Sequence, residues 1–120
     1  MKYIILIHSR EGVWAPEEHS AALEESIQLC HGLSAKGQYL HASPLQPVST
    51  AVQVRVREGK ATVTSGPFAE TAEFLAGYFL VEVASAEEAV EIAKRIPGAT
   101  RGTAEIRPLM ELTTLPPPGL

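Results

Sequence analysis

The sequence predicts an α+β fold, a ferredoxin-like β-α-β sandwich with an extra hairpin, two copies of which pair through facing sheets. Three observations predict it. Apolar residues alternate in short runs at 2–8, 52–56 and 77–84, as half-buried strands do. Stretches of helical periodicity separate those runs, one from 16 to 36 and one ending near 97. The 120 residues supply one core and leave no room for a second.

The first strand, residues 2–8, sets Tyr3, Ile5 and Ile7 against Ile4, Leu6 and His8. Both faces are apolar, which marks a strand covered on both sides. Pro16 suits the first position of a helix, and Glu17 and Glu18 suit its positive end. At 100° per residue, His19, Ala22, Leu23, Ser26, Ile27, Leu29, Cys30 and Leu33 share one face. Glu17, Ser20, Glu24, Glu25, Gln28 and His31 share the other, and Gly37 closes the helix.

A Pro- and Ser-rich stretch, 41–50, leads into Val52, Val54 and Val56 alternating with Gln53, Arg55 and Arg57. Glu58-Gly59 reads as the turn of a hairpin whose second strand is Lys60 to Ser65. Gly66-Pro67 breaks that strand, and the next runs from Gly77 to Ala84. Phe79, Val81 and Val83 fall on one face of it, and Tyr78, Leu80 and Glu82 on the other. Ser85 and Glu88 form a capping box for the second helix, and Thr103 to Met110 is the last strand. Residues 1–111 form the single domain; 112–120, with three consecutive prolines, form an extended tail or an arm on a neighbouring subunit.

With both helices on one side, the sheet's other side is apolar and open. A second copy is the simplest cover, so the expected assembly is a homodimer with facing sheets.

Composition narrows the function. The 14 acidic residues are all Glu, and the sequence holds neither Asp nor Asn, so no mechanism can use either. The net charge of −4 and the scattered basic residues offer no stripe for nucleic acid. Tyr3–Ile7 is too short an apolar run for a membrane span or a secretory signal, and a lone Cys30 fits a reducing compartment. The expectation is a cytoplasmic protein that binds neither membrane nor nucleic acid.

Several stretches resemble a known family. Ser65-Gly66-Pro67-Phe68-Ala69-Glu70-Thr71-Ala72-Glu73 is similar to the signature of the DGPF branch of the YCII-related family, Asp-Gly-Pro-Phe-Ala-Glu-Thr-Lys-Glu. Met1-Lys2-Tyr3, Leu45-Gln46-Pro47, Gly77 to Glu82, Ile96 to Ala99 and Glu105 to Pro108 also agree, so the resemblance spans roughly 1–111. It implies a dimeric α+β barrel. Functionally it implies less: most members are uncharacterised, some accompany sigma factors, and the wider family is proposed to include lyases using a His-Asp pair. This chain has Ser65 and Ala72 where the signature has Asp and Lys. Without any Asp, a dyad here needs Glu.

The candidate catalytic residues are His19, His8 and Glu82. His19 lies on the apolar helix face in the first turn, near the end of the first strand; its plain alternative is a partly buried histidine bonded to backbone. The wider family also carries a histidine in this helix. His8 either lines the same pocket or caps the sheet edge. Glu82 needs a partner such as Arg107 or Arg55, or else faces the cavity as a carboxylate with a raised pKa. Ser65, Phe68, Glu70 and Tyr78 are the candidate ligand-binding residues, the first three through the signature. His31 reads as solvated, and His41 as a surface or mouth residue. No His pair has metal-ligand spacing, Cys30 reads as an inert core residue, and no glycine-rich phosphate loop occurs, so neither metal nor cofactor is expected.

Three functions remain. The first is a cofactor-free lyase, isomerase or cyclase acting on a small aromatic or carbonyl-bearing molecule, with histidine as proton shuttle. The second is a non-catalytic small-molecule-binding or regulatory module. The third is a cofactor-independent monooxygenase, as in other dimeric α+β barrels.

Overall fold

In the computed structural model, which describes residues 1–68 and 71–118, one four-stranded antiparallel sheet organises the chain. Its strands are β1 (Lys2–Ser9), β2 (Tyr39–Pro44), β5 (Phe74–Glu82) and β6 (Gly102–Pro108), in the order β2-β5-β1-β6. Helices α1 (Pro16–Ala35) and α2 (Ala86–Ala93) cross between them, giving the α+β arrangement compatible with a ferredoxin-like fold. No helix among the described residues is long and apolar enough to cross a membrane.

The alternation in β1 decides which side carries the core. Tyr3, Ile5 and Ile7 are buried, together with Phe79 and Val81 of β5, Leu33 of α1, and Ala89, Ile92 and Ala93 of α2. Full burial of an aliphatic side chain contributes about 1.5–3 kcal/mol, so this cluster, with Ile96 beside it, dominates the fold's stability. Ile4, Leu6, Tyr78 and Leu80 point to the opposite side and stay partly exposed.

Both helices begin as their sequences dictate. Pro16 is the first residue of α1; Ala15 cannot cap it, but its N–H donates to the Glu18 carboxylate at 3.0 Å. Ser85 caps α2 by accepting from the Glu88 N–H. Gly37 follows α1 with φ of 70°, the left-handed conformation that glycine adopts without strain.

Two expectations need correction. The stretch read as Pro- and Ser-rich loop, 41–50, overlaps a true strand, β2, which pairs with β5 from Tyr39 to Pro44. The proline is tolerated because β2 is an edge strand and Pro44 is its last residue. The hairpin, β3 (Val52–Arg57) and β4 (Lys60–Ser65), forms with the expected register but as a separate two-stranded sheet. Its valines are therefore exposed, Val54 by 65%.

Candidate functional site

Helix α1 is buried only at Leu33 and meets the fold mainly at β2 and at the turn Pro97–Thr100. Its first half stands off the sheet. The gap is an apolar groove of about 300 Å³. Leu23 and Ile27 form its roof, Ile7 and Phe79 its floor, and Trp14 one end. Small residues keep it open. Ala22, Ser26 and Ala42 leave space where larger side chains would fill it, and a Cβ on Gly98 would strike Ile7.

His19 lines this groove, as its place on the helical face predicts. Among the described residues no carboxylate, lysine or arginine lines it. Cys30 also contributes, but burial pushes its thiol above the ordinary range, which keeps it protonated and unreactive. Tyr78 borders the groove from its place in β5, but its side chain lies with Leu6 on the other side of the sheet, where the phenol shares a 2.8 Å hydrogen bond with His41 Nδ1 and the two rings stack.

The groove's Trp14 end is clamped. Arg101 Nη2 donates to Glu18 at 2.6 Å, Nη1 donates to the Val13 carbonyl at 3.2 Å, and the guanidinium lies 4.3 Å over the Trp14 ring. Arg101, with the Ala15 N–H, pulls the Glu18 carboxyl down to about 2. The sequence reading missed this clamp, because 83 residues separate its partners.

His8 lies elsewhere. It follows Ile4 and Leu6 onto the side of the sheet away from α1, while the groove uses the Ile7 side, so His8 and His19 do not share a cavity. The expectation that they converge is corrected by the pleat itself, which sends successive side chains to opposite faces. His8 instead accompanies Glu105, its Nε2 bonded to Glu105 Oε1 at 3.0 Å. It lines a second cleft of about 590 Å³, together with Phe68, Phe74, Leu75, Pro47 and Glu73.

Glu82 is apart from both. Its partner is neither Arg107 nor Arg55 but the amino group of Met1, at 2.6 Å. That amine, by its hydrogen bond, holds the Glu82 carboxyl below the usual range, the reverse of a raised pKa facing a cavity. Lys2 of β1 pairs with Glu82 and His8 with Leu75, so Glu82 and His8 occupy opposite ends of one strand pair, roughly 20 Å apart at 3.3 Å per residue.

Of the ligand-binding candidates, Phe68 lines the second cleft, while Tyr78 borders the groove with its side chain turned to the other side of the sheet. Ser65 ends β4 opposite Val52 and lines neither cavity. Glu70 lies outside the described residues. Among the described residues no three His, Cys, Asp or Glu side chains gather as metal ligands.

The family model of the YCII-related domain matches residues 1–113. An uncharacterised protein of Rhizobium meliloti (strain 1021) is 32% identical over 114 residues, which cover 91% of this chain and 92% of that protein.

Proposed function

We propose, from the premise that the chain belongs to the YCII-related family, that the groove under α1 holds a small aromatic or carbonyl-bearing molecule on which His19 moves a proton. The observation that carries this reading is the groove's chemistry: an apolar chamber of about 300 Å³ with a single imidazole in its wall. Histidine is the side chain whose charge ordinarily changes between pH 5 and 8, so it can accept and return a proton at neutral pH. The reaction class is that of a cofactor-free lyase or isomerase. Apolar walls exclude water from the reacting carbon, and His19 takes the acidic proton and redelivers it.

A second reading has its own support. Among the described residues the groove offers His19 no carboxylate, and the neighbouring Glu18 is engaged by Arg101. An unassisted imidazole suits a module that binds without turning over. The fold itself is proposed to work as a homodimer, with the apolar side formed by Ile4, Leu6, Tyr78 and Leu80 closed by a second copy.

Phenylacetone in D2O separates the readings, since it carries an aromatic ring and an acidic benzylic carbon. Binding that shifts the Trp14 and Leu23 signals, with benzylic deuteration lost in His19→Gln, supports the enzyme. The same shifts without His19-dependent deuteration support the binding module. No shift at the groove residues overturns both.

A further inference from the structure

We propose that the second cleft, at the His8 end of the sheet side that a second copy would face, is a separate binding site for a small amine with an apolar, ring-sized body. The inference begins with the His8–Glu105 pair. An ionised carboxylate only accepts hydrogen bonds, so Glu105 Oε1, 3.0 Å from His8 Nε2, fixes the donating proton on Nε2. A neutral ring in this arrangement presents Nδ1 as an acceptor. Register makes the pair: Leu6 opposes Glu105 and His8 opposes Thr103, so all three polar side chains lie on one face of neighbouring strands.

The same face supplies a second acceptor. Thr103 Oγ1 donates to Glu73 Oε1 at 2.8 Å, which orients the Glu73 carboxylate; its other oxygen has no hydrogen-bond partner among the described residues. Glu73 and His8 both line the cleft, and no lysine or arginine does so among the described residues. Gln46, Thr50 and Thr71 can donate or accept. The fixed polar groups are thus acceptors, and a donor-rich cationic head meets them where an anion does not.

The rest of the wall is apolar. Phe74, Leu75, Pro47 and Pro67 line it, and Phe68 stands at the rim with 79% of its surface exposed. An exposed aromatic beside a carboxylate is a surface for a ring and for a cation alike. The cleft's volume, about 590 Å³, exceeds that of the groove and accommodates such a ligand.

The test titrates the full chain with 2-phenylethylamine and, separately, with phenylacetate, which has the same ring and the opposite charge, while backbone and imidazole NMR signals are followed. Saturable shifts of His8, Thr71, Glu73 and Phe74 with the amine are expected, with phenylacetate weaker by about tenfold or more. Glu73→Gln is expected to weaken the amine by a similar factor. Phe68→Ala, which removes an exposed side chain and leaves the core untouched, is expected to weaken it as well. Equal binding of the two compounds, unaltered amine affinity in both variants, or shifts confined to Trp14 and Leu23 overturns the proposal. Groove residues report the first site and cleft residues the second, so each reading fails on its own signals.

Discussion

Arg101 and Glu18 meet at 2.6 Å across 83 residues of sequence, and their contact fixes the start of α1 over the turn that precedes β6. The same guanidinium covers Trp14, so one side chain ties the helix, the β1–α1 loop and the groove's end wall together. Its consequences are measurable.

Glu18 titrates at about 2 in the folded chain instead of its ordinary 4.5. A depressed carboxyl stabilises the fold above its unfolded pKa, and that stability is lost as pH falls from about 4.5 toward 2. Thermal unfolding between pH 6 and pH 2 is therefore expected to show an acid-side loss of Tm that is smaller in Arg101→Ala. The variant is also expected to start from a lower Tm at pH 6. Parallel curves for the two proteins contradict the clamp.

Gly102→Ala is expected to destabilise strongly. A Cβ at this position overlaps the backbone carbonyl of His8 and presses on that of Gly98, and neither can swing aside as a side chain could. Forcing the β1–β6 pair apart there is expected to cost about 2–4 kcal/mol. Urea unfolding measures it; an unchanged midpoint contradicts the close approach.

The core and the hairpin are expected to respond in opposite ways. Ile5 is fully buried between the helices and the sheet, so Ile5→Ala is expected to cost about 2–5 kcal/mol. Val54→Thr, on the detached hairpin, is expected to change stability by no more than about 0.5 kcal/mol. A large loss from Val54→Thr would show that a partner covers the hairpin in solution.

These contrasts show which parts of the structure the residues announced. β1 was legible because its alternation needs only local sequence, and α2 because Ser85 and Glu88 bond as their spacing requires. β2 was not: a six-residue edge strand ending in Pro44 has the composition of a loop, and only its pairing with β5 makes it a strand. His19 falls on the groove by helical periodicity together with its place near the end of β1. Periodicity likewise puts His8 with Ile4 and Leu6, but nearness to the strand's end leaves a shared pocket and a sheet-edge cap both open. Glu105 and Arg101 carry no local signal, since each acts through a partner remote in sequence.

The proposed dimer makes its own demand. Leu80→Glu sets a charge on the half-exposed side of β5, where an isolated protomer tolerates it and a facing copy does not. Light scattering is expected to find a dimer for the parent chain and a folded monomer for the variant. A monomeric parent contradicts the facing-sheet assembly.

The decisive measurement is a fluorescence titration with phenylacetone, read through Trp14, the single tryptophan, which forms the groove's end. Saturable quenching is expected in the parent chain and in His19→Gln, and its loss is expected in Ala22→Phe, where a bulky ring fills the space under α1. Quenching that persists unchanged in Ala22→Phe would mean that the space beneath this helix is not where the small molecule sits.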